Sequence, residues 1–126
     1  MATRVTGLAD YLEMTADLPW QWGKTDCTMW VADWCVIRWG YDPAASFRGR
    51  YTTEAEAEAL TADGLAETIR PHMAFARETD EPQDGDVGVV VVEDKQVSAV
   101  RVGDKWAFRH PEGIMFEDRP FIAAWG

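Results

Sequence analysis

The side chains of this sequence best suited to nucleophilic chemistry are its two cysteines, Cys27 and Cys35. Cys27 follows a polar loop, residues 21–26 (QWGKTD), and opens a tryptophan-rich amphipathic run. A thiol in the first turn of a helix lies at the positive end of the helix dipole, where unpaired backbone N–H groups favour the thiolate and can hold a developing oxyanion. Cysteine is also among the most buried residue types, so core packing is the alternative. Position alone favours packing clearly for Cys35 and narrowly for Cys27.

A helix must hold Cys27 in that position. Asp26 is suited to cap a helix that runs from Cys27 to about Arg38, and Gly40 is suited to end it. The other predicted helical segments are residues 6–16 with Thr6 as the cap, a turn or short helix over 41–51, a helix from the Thr53–Glu56 capping box to Gly64, and a short helix over 65–70.

The second half of the chain changes to an alternating pattern that predicts strands. These are expected over residues 87–93, 96–102, 105–110, 114–117 and 121–125, with turn sequences between them. Helices followed by an antiparallel meander indicate an α+β fold, with N-terminal helices packed on a C-terminal antiparallel β-sheet or half-barrel. A chain of 126 residues predicts a single domain, with a helical half (1–72) that carries Cys27 and a strand half (73–126).

Composition excludes several classes of partner. The net charge of −10 repels phosphate backbones, so no nucleic-acid partner is expected. The longest apolar run, residues 87–92, is too short to span a membrane, and the first residues do not resemble a signal peptide. Cys27 and Cys35 lie ~12 Å apart along one predicted helix, which excludes a disulfide between them. The cysteines and histidines fit no zinc spacing, so neither a metal nor a cofactor is expected.

Seven tryptophans are many for a chain of this length. Trp30 and Trp34, on the predicted helix, are expected in the core. Asp33 and Arg48 are predicted to form a partly buried ion pair between that helix and the following loop. The tryptophans at the ends of predicted elements are better placed for an interface: Trp20, Trp22, Trp39 and Trp125.

The segment WGKTDCTMWVADW, followed by a Gly-Asp turn and short strands, resembles the NlpC-type cell-wall peptidases. These are compact papain-like folds in which the nucleophilic cysteine begins a helix packed on an antiparallel sheet. The segments PWQWGKTDC, DPAASFRGRYTTEAEA, GDV and AAWG are similar to a version of this domain found among tailed-phage tail-tip proteins. The resemblance covers nearly the whole chain, and its most specific parts are WG..DC and FRGRY. It implies a location in the virion tail after synthesis in the host cytoplasm, with other tail-tip or hub proteins as partners.

The resemblance also assigns roles to individual residues. It makes Cys27 the nucleophile, and the spacing of papain-like enzymes places an oxyanion-hole glutamine at Gln21. Asp86, which opens the first strand, takes the position of a turn-capping aspartate.

The general base is the position at which the sequence departs from the family. Alignment on the Gly-Asp turn puts Val97 where the histidine should be, between Gln96 and Ser98, and none of these side chains is a useful proton acceptor near neutral pH. His110 ends the adjacent strand and is the remaining candidate base, although a solvated turn position is the favoured interpretation. His72 is interpreted as a loop residue.

Three functions remain open at the level of sequence, and the missing histidine favours the first over the second. The first is a structural or docking component of a phage tail tip, built on an NlpC-like peptidase fold without its base. The second is an active cysteine peptidase or amidase that cleaves peptidoglycan peptides through Cys27. The third is a binding module that holds a peptide or sugar in a tryptophan-lined cleft.

Overall fold

The computed structural model describes residues 7–126 and confirms the predicted α+β class, with helices at the N-terminus and an antiparallel sheet at the C-terminus. The predicted strand bounds are confirmed to within one residue at each end. The elements are α1 (Leu8–Thr15), α2 (Cys27–Trp39), α3 (Glu54–Leu60), α4 (Leu65–Ile69), a 3₁₀ turn (Arg70–His72), β1 (Val87–Val92), β2 (Lys95–Val102), β3 (Lys105–His110), β4 (Gly113–Glu117) and β5 (Phe121–Trp125).

Helix α2 begins and ends as its sequence predicts. The Asp26 carboxylate accepts hydrogen bonds from the backbone N–H groups of Thr28 and Met29, which are otherwise unpaired in the first turn. At the other end Gly40 adopts the left-handed conformation (φ 71°) and donates its N–H to the Val36 carbonyl at 2.9 Å. The position of Cys27 as the first residue of this helix is therefore fixed by two caps.

The shorter helices differ in detail from the prediction. The helix predicted over residues 6–16 is present as α1, while its proposed cap, Thr6, lies outside the described residues. Thr53 caps α3 through a 3.2 Å hydrogen bond from the Glu56 N–H, but the helix ends at Leu60, before Gly64. None of the helices within residues 7–126 is long and apolar enough to cross a membrane.

The sheet is not a simple meander, because its last strand, β5, lies beside β1 and not beside β4. The strand order is β4-β3-β2-β1-β5, so β1 to β4 pair in sequence while β5 returns to pair antiparallel with β1. This return covers the edge of β1 and makes it an interior strand. The predicted meander is correct for four strands and wrong for β5.

The main core lies between α2 and the sheet. Trp30, Trp34 and Cys35 are buried there, which confirms the predicted core role of the two tryptophans. Tyr11 of α1 stacks on Trp30 with ring centroids 5.5 Å apart. Trp125 also belongs to this core and is 2 % exposed, so its predicted interface role is wrong: it pairs with Val87 in the sheet.

The predicted ion pair between Asp33 and Arg48 is confirmed. Arg48 Nη2 lies 2.7 Å from Asp33 Oδ1, and Arg48 Nε lies 2.7 Å from Asp42 Oδ2. Burial raises the pKa of Asp33 despite the opposing effect of Arg48. For Asp42, burial acts to raise the pKa, but hydrogen bonds from Arg48 and the Ala44 amide outweigh it and lower the pKa. The loop that follows α2 is thus tied back to the helix that carries Cys27.

Candidate functional site

Cys27 is half-buried at the N-terminus of α2, beside the buried side chain of Asp26. Asp26 holds the two segments that flank the cysteine. Its Oδ2 accepts from the Gly23 N–H at 2.7 Å and from the Tyr51 hydroxyl at 2.6 Å. Its Oδ1 accepts from the Thr28 N–H at 3.0 Å. The loop before Cys27, the helix after it and the segment around Tyr51 therefore converge on one carboxylate.

The same carboxylate changes the chemistry of the thiol. Removal from water and the negative charge of Asp26 raise the pKa of Cys27 to about 11, while hydrogen bonds from Thr28 and the Ser98 backbone act in the opposite direction. Burial and the Asp26 charge therefore outweigh any preference of the helix N-terminus for the thiolate. The positive end of the dipole already faces the Asp26 carboxylate, which engages the amides of Thr28 and Met29.

Strand β2 faces Cys27 at the position where the resemblance expects a histidine. Ser98 is buried there, and its hydroxyl lies 3.0 Å from Thr28 Oγ1 at the start of α2. Val97 pairs with Val90 of β1 and lines the same cleft as Cys27. Neither side chain can accept a proton from the thiol near neutral pH.

The cleft beside Cys27 has a volume of about 560 Å³ and is open to solvent. Its walls come from the loop before α2, from α3 and α4, and from the ends of β2 and β3. Two contacts from β2 hold the helical wall: Lys95 Nζ lies 2.9 Å from Glu54 Oε1, and Gln96 Oε1 accepts from the Ala66 N–H at 3.0 Å. Aromatic side chains line much of it: Trp20, Trp22, Phe47, Tyr51 and Phe108. Such a concave, mostly apolar surface is typical of a ligand-binding site.

The candidate catalytic residues are only partly brought together. His110 lines the same cleft as Cys27, but it is exposed, and its Nδ1 accepts a hydrogen bond from the Glu112 N–H at 3.1 Å within the β3–β4 turn. Gln21, the candidate oxyanion residue, is exposed and is not among the described residues that line the cleft. His72 packs edge-on against Phe47, with ring centroids 5.1 Å apart.

Asp86 has the structural role that the resemblance implies. Its Oδ2 accepts from the Gln83 N–H at 2.9 Å, which closes the turn before β1. Its Oδ1 lies 2.9 Å from Arg38 Nη1 at the end of α2. Asp86 therefore joins the helix to the first strand and takes no part in the cleft.

One side chain at the cleft, Arg109, was missed by the sequence analysis, and a second, Trp20, was predicted only to face an interface. Arg109 of β3 is 2 % exposed, and its Nε and Nη2 have no hydrogen-bond partner among the described residues. Trp20 Nε1 is likewise buried without a partner. The alternation of side chains along β3 could have predicted which face Arg109 occupies. Trp106 and Phe108 lie on one face of the strand, so Ala107 and Arg109 lie on the other.

One family model matches almost the whole chain. It is described as a domain of unknown function (DUF6950), and it matches residues 2–126. This chain belongs to the DUF6950 family. No curated protein and no solved structure matches the chain.

The raised pKa of Cys27 predicts how the alkylation rate of this thiol depends on pH. The rate of alkylation by iodoacetamide should rise about tenfold per pH unit from pH 8 to 10, since the thiolate fraction is still small there, and should level off only near pH 11. A free thiol levels off near its pKa of ~8.5. Mass spectrometry of the modified peptides separates Cys27 from Cys35, whose burial raises its pKa to about 12.

Circular dichroism must accompany that measurement. A thiol whose pKa is higher in the folded protein stabilises the fold fully below the unfolded value of ~8.5, and this contribution is lost as the pH rises toward 11. Alkylation that reaches its plateau near pH 8.5 while the protein is still folded would contradict the structural account of Cys27.

Proposed function

We propose that this domain is a non-catalytic, NlpC-like protein that acts as a docking component of a phage tail tip. The observation that carries the proposal is the surrounding of Cys27: a thiol with a raised pKa faces Ser98 and Val97 on β2, where a peptidase of this type needs an imidazole. The tail-tip setting is supported by the similarity of the WG..DC and FRGRY segments to tail-tip versions of the domain.

The chemistry of hydrolysis argues against an active peptidase. Burial and the Asp26 charge raise the pKa of Cys27, so the thiolate is a very small fraction near neutral pH. General-base assistance is typically worth ~10²–10⁴ in rate, and the residues opposite the thiol cannot provide it. His110 uses Nδ1 as an acceptor in its own turn and is exposed to solvent.

A docking role is supported by apolar side chains on the sheet edges. Met115 and Phe116 of β4 are exposed on one edge strand, and Ile122 of β5 is exposed on the other. Exposed apolar groups on an edge strand favour association with another chain. The net charge of −10 favours a partner surface that is positively charged.

Incubation with purified peptidoglycan tests the catalytic half of the proposal. Wild-type protein and the Cys27→Ala variant are each expected to release no more soluble peptide than buffer does, measured by chromatography and mass spectrometry of the supernatant. Release by the wild type that disappears in Cys27→Ala would show an active hydrolase and overturn the proposal.

The docking half has a separate test. Phage particles purified from cells that carry this gene should contain the protein, detected by immunoblotting or by mass spectrometry of the tail fraction. Its presence in the cell lysate but not in the particles would contradict a place in the assembled tail.

A further inference from the structure

The cleft beside Cys27 contains two buried donor groups that have no acceptor among residues 7–126. They are the guanidinium of Arg109, through Nε and Nη2, and the indole N–H of Trp20. Both residues line the cleft. Guanidinium and indole groups only donate, so whatever completes this site must supply acceptor atoms.

The fold itself directs Arg109 toward the cleft. The pairing of β2 with β3 covers Val100–Val102 and Lys105–Ala107 and, within residues 7–126, does not continue to Arg109. The end of β3 thus separates from β2, while it remains paired with β4 through Arg109 and Ile114. Arg109 shares the face of Ala107, which packs in the core with α2, and it is among the residues that line the cleft.

Three of the four carboxylates that line the cleft are already engaged. Asp26 accepts hydrogen bonds from four donors in its own network. Glu54 and Glu58 pair with Lys95 at the rim. Burial lowers the pKa of Arg109, yet a guanidinium stays protonated in proteins. A buried cation without a partner is costly, and a bound anion removes that cost.

We infer that this cleft binds the carboxylate of a peptide, with Arg109 as the anchoring residue and the Trp20 indole as a second donor. The planar guanidinium matches a carboxylate in a two-point geometry. A dianionic phosphate fits less well, because Asp26, Glu54 and Glu93 also line the cleft and would repel it more strongly. The aromatic and aliphatic walls favour a peptide with apolar side chains over a free ion.

This inference deepens the proposed function, since it rests on the cleft being a binding site without catalysis, and it names the chemical class of the ligand. The proposed function and the inference about the ligand can fail separately. Peptidoglycan release that depends on Cys27 would overturn the non-catalytic proposal whether or not Arg109 binds a carboxylate. Loss of carboxylate dependence would overturn the inference while leaving the protein inactive as a hydrolase.

The experiment compares a peptide acid with its amide. N-acetyl-leucyl-alanine, its C-terminal amide and inorganic phosphate are titrated into ¹⁵N-labelled protein, and the backbone amides and the Arg109 Nε–H resonance are followed by NMR. The acid is expected to shift the Arg109 resonance and to bind at least about 10-fold more tightly than the amide, as a hydrogen-bonded charge pair implies. Equal binding of acid and amide, or tighter binding of phosphate, would overturn the inference.

Three variants complete the test. Arg109→Met should lose the preference for the acid over the amide, while its thermal midpoint without ligand stays equal to or above that of the wild type because a buried unpaired charge has been removed. Arg109→Lys keeps the charge without the two-point geometry and should bind the acid less tightly than the wild type. Trp20→Phe should weaken binding of the acid to a smaller extent than Arg109→Met. A clearly lower thermal midpoint in ligand-free Arg109→Met, or wild-type binding by that variant, would contradict the role of Arg109.

Discussion

Replacing Asp26 with alanine is expected to lower the free energy of unfolding by about 3–5 kcal/mol. Asp26 is 1 % exposed and accepts from the Gly23 N–H at 2.7 Å and the Tyr51 hydroxyl at 2.6 Å. It also accepts from the first-turn amides of Thr28 and Met29, at 3.0 and 3.1 Å. Loss of a helix cap typically costs ~1 kcal/mol, and each buried donor left without a partner adds ~1–3 kcal/mol.

Urea unfolding followed by tryptophan fluorescence and circular dichroism measures this effect. Tyr51→Phe removes one of the four hydrogen bonds and keeps the ring, so a loss of about 1–1.5 kcal/mol is expected. Asp63→Ala changes an exposed aspartate and should lie within about 0.5 kcal/mol of the wild type. An Asp26→Ala variant no less stable than Tyr51→Phe would show that the network does not hold the site together.

The Asp26 network joins the two segments on which the predicted resemblance to NlpC-type domains rests. WG..DC contributes Gly23, Asp26 and Cys27, while FRGRY contributes Gly49 and Tyr51. In the fold these segments touch: the Gly49 N–H donates to the Gly23 carbonyl at 3.2 Å, and Tyr51 donates to Asp26. Both motifs therefore build the position of the cysteine.

Local chemistry made most of the fold predictable. The caps at Asp26 and Gly40 set the bounds of α2, and period-two alternation with turn sequences set the strands. The edge change of β5 was not predictable in the same way, because strand order depends on contacts between residues far apart in sequence. Trp125 shows the consequence: its position at the end of a strand suggested an interface, but pairing with β1 buries it.

The candidate site was predictable in its position but not in its chemistry. A cysteine after an N-cap identified the start of α2, yet the pKa of its thiol depends on burial and on the Asp26 charge. The burial of the thiol and its proximity to the Asp26 charge depend on how the loop, α2 and β2 pack, so they could not be predicted from the sequence alone. Arg109 was missed for a similar reason, since an arginine at a strand end is ordinarily exposed, and only tertiary packing makes it a buried donor.

The second large effect is expected at Gly23, where alanine should lower the free energy of unfolding by about 3 kcal/mol or more. Gly23 has a φ of +81°, a conformation that costs an L-residue ~1–2 kcal/mol. A Cβ there would also lie 2.3 Å from the Tyr51 carbonyl oxygen. Since that atom is backbone, the Tyr51 segment must move, which disturbs the hydrogen bond from Tyr51 to Asp26.

Gly40→Ala is the matched control, because Gly40 has a φ of +71° but a Cβ there meets nothing within 4 Å. Only the conformational cost of about 1–2 kcal/mol is therefore expected. Urea unfolding of both variants separates the two costs, and equal losses would mean that the contact between the cysteine loop and the Tyr51 segment does not stabilise the site.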